Sequence, residues 1–160
     1  MKISIFLIVL LLCSCTAQTP NRDRVAALEQ KLVELKPGLG EIMGIVQQHH
    51  AKLFYSGTRG NWELAQYQID EIKEGLEDVA KYYPTFKEVK LPLKDLIPKM
   101  MDEPLRNVAS AIQKKDAKAF KTAFAAMTKS CNSCHQAAEH GFIVIQAPIG
   151  QEFTNQQFSP

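Results

Sequence analysis

Apolar residues recur at every third or fourth position through most of the chain, which is the period of an amphipathic helix. Between residues 37 and 141 four such stretches follow one another, separated by short segments with Gly, Pro, Asn or Asp; they are 39–55, 62–83, 93–114 and 117–139. Short connections make neighbouring helices antiparallel. The pattern therefore predicts an all-α fold, with residues 37–141 forming an antiparallel four-helix bundle.

Several residues at the ends of these stretches are of the types that begin or end helices. Asn61 and Asp116 each precede an apolar-periodic stretch, and both side chains are good N-terminal caps. In the third stretch two prolines predict a kink, after which we expect Asp102 to cap a restarted helix. We expect Gly141 to end the last helix, because glycine readily adopts the left-handed backbone found at helix C-termini.

A further helical stretch precedes the bundle, at residues 22–36. Its apolar residues are spaced by three, four and three, the a/d pattern of a coiled coil: Val25, Leu28, Leu32 and Leu35. Two heptads leave two alternatives, a homo-oligomer through the Val25–Leu35 helix or a helix lying against the domain. We therefore assign residues 16–36 to a tether and N-terminal helical stalk, and 142–160 to an irregular C-terminal tail.

The first fifteen residues predict export. Lys2 precedes an aliphatic run over residues 3–12, which is shorter than the roughly 20 residues of a membrane-spanning helix and is typical of a signal peptide. The run ends in Leu-Cys-Ser-Cys, which resembles a bacterial lipobox. This resemblance implies a lipoprotein signal over 1–15 with Cys15 as the lipidated residue; a plain secretory signal is the alternative. Both place the mature protein in the bacterial cell envelope, lipid-anchored in the first case at the periplasmic face or outer membrane.

Composition adds one restriction and one candidate chemistry. The chain of 160 residues is long enough for one domain with its own core, and a formal net charge of +2 gives no reason to expect a nucleic-acid partner. Two of the four cysteines lie in the leader, so the body of the protein contains only Cys131 and Cys134. The chemistry that those two cysteines support depends on the residue that follows them.

The segment Cys131-Asn132-Ser133-Cys134-His135 is a Cys-x-x-Cys-His motif, the attachment sequence of c-type haem. Two thiols on one helical turn can bond to the two vinyl groups along one edge of the porphyrin, and His135 then reaches the iron from the proximal side. We therefore predict one covalently bound haem c. The alternatives are a zinc site, which needs four ligands, a thioredoxin-type dithiol, which needs a preceding strand, and a simple disulfide.

A haem motif near the end of the fourth helix is similar to that of the cytochrome c′ group, the four-helix-bundle class of c-type cytochromes. The segments 49–55 and 61–67 also resemble a set of uncharacterised bacterial cytochrome-like proteins. The bundle resemblance covers roughly residues 37–141. It implies a haem whose sixth iron position is vacant behind an apolar residue of the first helix, or is filled there by Met in low-spin relatives.

Three residues of the first bundle helix are candidates for the sixth iron ligand: Met43, His49 and His50. His135 lies near the end of the fourth helix, so in an antiparallel bundle its level on the first helix is near the start, where Met43 lies. His50 is two turns further along, on the order of 10 Å at 1.5 Å per residue. We therefore expect Met43 to be the distal ligand, with His50 or His49, or no protein ligand, as alternatives.

No catalytic set of residues accompanies the motif, so the sequence favours electron transfer over an enzymatic activity. We expect a membrane-tethered monohaem carrier that exchanges electrons with redox partner proteins of the cell envelope. One alternative is a five-coordinate haem protein that binds nitric oxide or carbon monoxide. The other is a helical interaction lipoprotein without haem, which would use the stalk to associate.

Overall fold

The computed structural model describes residues 20–87, 89–150, 153 and 155–160. Within those ranges it has five α-helices and no strand; the helices are α1 Pro20–Glu34, α2 Leu39–Thr58, α3 Trp62–Tyr82, α4 Leu93–Gln113 and α5 Ala117–Ala137. The prediction of an all-α fold is confirmed. The leader at 1–15, with the lipidation candidate Cys15, lies outside the described residues. Among the helices that are described, none has the length and apolarity needed to cross a membrane.

The chain divides into two compact units between Lys36 and Pro37. The first unit contains α1, on which the described side chains are exposed, including the apolar seam residues Val25, Leu28 and Leu32. Association of copies through that seam stays a prediction. The second unit contains α2 to α5 and the tail.

The helices of the second unit pack in chain order: α2 against α3, α3 against α4, and α4 against α5. Contact between α2 and α5 is less extensive than any of these three. All four contribute buried apolar side chains to one core, as the helical period of each segment requires; examples are Leu53, Ile72, Val108 and Phe120. The predicted bundle is therefore present, with its loosest seam between the first and last helices.

Both predicted N-terminal caps are confirmed. The Asn61 side chain accepts a hydrogen bond from the backbone N–H of Leu64 at 3.1 Å. The Asp116 carboxylate accepts from the N–H groups of Lys118 and Ala119 at 3.0 and 2.9 Å. These side chains satisfy N–H groups that have no partner within the first turn of a helix.

The predicted restart of the third bundle helix at Asp102 is wrong. Helix α4 runs without interruption from Leu93 to Gln113 and contains Pro98 and Pro104 in its interior. Its buried face continues through both prolines, with Met101 and Val108 almost fully enclosed. Packing of that face against α3 and α5 outweighs the hydrogen bonds that the prolines remove.

The predicted end of the last helix at Gly141 is also wrong. Helix α5 ends at Ala137, and Glu139 adopts the left-handed backbone with φ of 61°. The N–H of His140 then reaches back to the carbonyl of His135 at 2.7 Å, a bond that closes a helix C-terminus. A non-glycine residue takes this conformation here, so the glycine was a misleading signal.

The tail folds back onto the bundle. Phe158 is only 2% exposed, and its ring centroid lies 5.2 Å from that of Tyr55 on α2. Near the same place the amide of Asn61 donates to the carbonyl of Ser159 at 3.2 Å. The described residues of the tail form no helix or strand, and the tail belongs to the same compact unit as the bundle.

Helices α2 and α5 approach closely at Gly57, where an added Cβ would lie 2.1 Å from Cζ of Phe120. We expect Gly57→Ala to lower the free energy of unfolding by about 1–3 kcal/mol through overpacking. Gly44→Ala is the matched control, because nothing lies within 4 Å of its added Cβ. It should raise that free energy by about 0.5–1 kcal/mol, since Ala loses less backbone entropy in a helix than Gly. Urea unfolding followed by circular dichroism measures both; equal stability of the two variants would contradict the packing.

Candidate functional site

A largely apolar cavity of about 420 Å³ lies within the second unit. Residues of α2 and α5 line it, and α3 and α4 contribute further lining residues. Its size is that of a ligand pocket, for which about 300–1,000 Å³ is usual. The connection between α3 and α4 and the tail complete the wall. From α2 the lining residues are Leu39, Gly40, Met43, Gly44, Val46, Gln47 and His50.

The last turns of α5 bring the three motif residues to this cavity. Cys131, Cys134 and His135 all line it. Residues at i, i+3 and i+4 lie on one face of a helix, so the spacing of the motif is what makes this possible. The two cysteines are half-buried and are not bonded to each other. The structure therefore gathers the predicted attachment residues on one wall of a single apolar space.

Burial favours the thiol form of both cysteines. It raises the pKa of Cys131 from 9.0 to about 11, with a smaller contribution from neighbouring Cys134. Burial also raises the pKa of Cys134. Dithiol exchange uses the thiolate as the attacking group, so this environment is unfavourable to the thioredoxin-type alternative.

A compact metal site does not form around these residues. Within the described part of the chain, no group of three or more His, Cys, Asp or Glu side chains could jointly hold a metal ion. A structural zinc ion takes four such ligands from the protein. Haem iron takes one or two axial ligands, since the porphyrin supplies the rest, so its requirement is met by His135 with or without a second residue.

His135 has a defined tautomer. Its Nδ1 lies 2.9 Å from the carbonyl oxygen of Ile143 in the tail. A carbonyl only accepts hydrogen bonds, so Nδ1 carries the hydrogen, and in the neutral imidazole the lone pair is on Nε2. Among the described residues none bonds Nε2. Metal-bound histidines typically donate their other N–H in this way, which fixes the ring and raises the basicity of the ligating nitrogen.

Met43 lines the cavity from α2 and is half-buried. Gly40 and Gly44, one turn apart on the same wall, have no side chains, and a Cβ added at either would meet nothing within 4 Å. The two glycines therefore leave open a space beside Met43 that larger residues at their positions would fill. A broad, flat group such as a porphyrin fits a wall of this kind, so the residues present are compatible with haem.

His50 also lines the cavity, but it is 4% exposed and already hydrogen-bonded. Its Nε2 lies 2.8 Å from Oγ1 of Thr128, and that hydroxyl donates to the carbonyl of Phe124 at 3.0 Å. Because the hydroxyl hydrogen is used there, Nε2 of His50 is the donor to Thr128. Thr128 is seven residues before His135 on α5, about 10 Å along the helix axis. His50 therefore lies about two turns deeper in the bundle than His135.

His49 is not among the residues that line the cavity. Its Nδ1 lies 2.7 Å from Oε1 of the buried Gln68, and its Nε2 is 3.6 Å from Oε2 of Glu71, both on α3. Of the three distal candidates, the structure brings Met43 and His50 into the same cavity as His135 and turns His49 towards α3. The carbonyl of Ile143 could not be predicted as a partner of His135, because a backbone acceptor in an irregular segment has no residue-type signal.

Comparison with protein-family models, with curated proteins and with solved structures gives no match to this chain. The motif and the geometry around it are therefore the observations that bear on function.

The burial of His50 predicts a pH-dependent stability. Desolvation lowers its pKa from 6.5 to about 4. Above pH 6.5 the residue is neutral in both states, whereas between pH 6.5 and about 4 only the unfolded chain binds the proton. Its contribution to the free energy of unfolding should therefore fall by about 3 kcal/mol as the pH drops through that window.

Urea unfolding at several pH values measures this effect as a difference between the wild-type protein and His50→Gln. The variant keeps a neutral donor near Thr128 but cannot titrate, so it should lack this part of the acid destabilisation. Parallel stability curves for the two proteins between pH 6.5 and 4 would show that His50 is not held neutral.

Proposed function

We propose that this protein is a monohaem c-type cytochrome that carries electrons at a membrane surface. The observation that supports this best is the arrangement on α5. Both cysteines of the attachment motif line a largely apolar cavity of about 420 Å³, and the motif histidine already donates its Nδ1 hydrogen, which leaves Nε2 for iron. A haem bound there would supply the reversible one-electron chemistry.

The residues around the cavity have distinct roles in this proposal. Cys131 and Cys134 would hold the porphyrin by covalent bonds, and His135 would bind the iron through Nε2. Met43 would be the second residue to hold the iron, and a methionine ligand raises the reduction potential of a haem. The aliphatic wall, with Val46, Ile97 and others, excludes water and lowers the local dielectric. If His135 and Met43 both held the iron, no position would be open to an outside ligand, and electron exchange with a partner would be outer-sphere.

The tail beside the motif offers a surface for a redox partner. Phe142 and Val144 flank Ile143 and are 80% and 71% exposed. Exposed apolar groups next to a cofactor site are typical of protein contact surfaces. Together with the predicted export signal, the lipid anchor at Cys15 and the stalk, this favours a carrier held at the envelope membrane that meets partner proteins there.

A gas-binding haem protein is the second candidate, and one observation favours it. The cavity is not confined to the level of the motif but also reaches His50, deeper in the bundle. With Met43 away from the iron, such a space would admit a diatomic ligand such as nitric oxide or carbon monoxide. The two candidates differ in whether the iron is six- or five-coordinate.

Covalent attachment is tested by the intact mass of the mature protein, expressed together with a haem-attachment system. We expect a mass above that of the polypeptide by one haem, because two thiols can bond to one porphyrin. The double variant Cys131→Ala, Cys134→Ala should lack this mass, and Ser133→Ala, which alters the motif but keeps both thiols, should retain it. A colourless wild-type protein without the added mass would rule out both haem functions and favour the helical interaction lipoprotein.

The role of Met43 is tested by Met43→Leu, which keeps the volume and apolarity but removes the sulfur. The reduced wild-type protein should show a sharp low-spin α band and no reaction with carbon monoxide. The variant should become high-spin and bind carbon monoxide. Met100→Leu is the matched control, since Met100 packs against the core without lining the cavity. A wild-type protein that is already high-spin and binds carbon monoxide would favour the gas-binding function instead.

A further inference from the structure

The tail is hydrogen-bonded to Asn132, one of the two residues that lie between the cysteines of the attachment motif. Nδ2 of Asn132 donates to the carbonyl of Ile145 at 2.8 Å, and its Oδ1 accepts from the N–H of the same residue at 2.7 Å. One amide thereby pairs with both polar backbone groups of Ile145. This pair of hydrogen bonds fixes the position and the orientation of the tail at Ile145.

The same short segment of tail supplies the partner of His135. Ile143, two residues before Ile145, accepts the Nδ1 hydrogen of His135 at 2.9 Å. Asn132 and His135 are three residues apart and therefore neighbours on the surface of α5. The Ile143–Ile145 segment is thus bonded to the helix at two points, one of which is the amide pair and the other the predicted iron ligand.

We propose that Asn132 is a positioning residue for His135. By fixing Ile145 it holds the Ile143 carbonyl where it orients the imidazole and keeps Nδ1 as the donor. The inference rests on the proposed function, since it concerns His135 as an iron ligand. A firmly held acceptor at Nδ1 makes Nε2 more basic, and a more basic ligand stabilises ferric over ferrous iron. Asn132 should therefore lower the reduction potential of the haem.

The test is redox titration of the haem-loaded protein and of Asn132→Ala. Loss of a partner of this type changes metal affinity by about 10–100-fold. Asn132→Ala leaves the Ile143 carbonyl in place but no longer fixes it, so we expect a change at the lower end, about tenfold in the ratio of ferrous to ferric affinity. A tenfold change corresponds to a reduction potential higher by about 59 mV for a one-electron couple. The N–H of Ile145 should also exchange faster with deuterium. Ser133→Ala is the matched control, because no described residue hydrogen-bonds the Ser133 side chain, and its potential should equal that of the wild type.

A second variant approaches the same contact from the tail and leaves the motif intact. Ile145→Pro removes the N–H that Oδ1 of Asn132 accepts, so the potential should rise as in Asn132→Ala. The double variant should show no more than the larger single effect, because both changes break one contact. Phe158→Ala loosens the far end of the tail, and we expect it to leave the potential unchanged.

The outcomes separate this inference from the function on which it rests. Haem-loaded Asn132→Ala with the wild-type potential overturns the positioning role and leaves the cytochrome proposal intact. If Asn132→Ala takes up no haem, Ile145→Pro decides, and an unshifted potential there overturns the role. A wild-type protein that takes up no haem overturns both.

Discussion

The proposed chemistry depends on a space that the side chains of the bundle do not fill. Helices α2 and α5 are in close contact at one end of the interface between them, where Gly57 lies directly against Phe120. At the other end α2 presents Gly40 and Gly44 to open space, across a cavity from the motif on α5. Close packing along the whole seam would place side chains where a cofactor has to lie. A seam that is tight at one end and open at the other combines a stable bundle with a site.

Two histidines border that space, and a different ring nitrogen carries the hydrogen in each. The neighbouring hydrogen-bond partners set this difference. His135 gives its Nδ1 hydrogen to a tail carbonyl and keeps the Nε2 lone pair available. His50 uses its Nε2 hydrogen on Thr128, is almost fully buried, and has its pKa lowered to about 4. The first arrangement suits the proposed role of His135 as an iron ligand, and the second is that of a polar core residue that completes a hydrogen-bond chain. Residue type alone does not distinguish them.

Local signals in the sequence predict the fold well, and contacts distant in sequence account for what they miss. Helical period and the caps at Asn61 and Asp116 depend on neighbours within a few residues, so the bundle could be anticipated. The motif spacing likewise places its side chains on one face. Helix α4 stays unbroken because its buried face packs against other helices. The hydrogen-bond partner of His50 is Thr128, 78 residues away in the sequence. The hydrogen-bond acceptor for His135 is a backbone carbonyl in the tail, and no pattern of residue types predicts such a contact.

The central claim is that Cys131 and Cys134 hold a haem by covalent bonds. The pyridine haemochrome spectrum of protein first extracted with acidified acetone tests it most directly, because extraction removes haem that is held only by its axial ligands. The claim predicts that the pigment stays with the polypeptide, one per chain, with the haemochrome spectrum of a thioether-linked haem. Pigment that passes into the acetone, or a vinyl-type haemochrome spectrum, would contradict it.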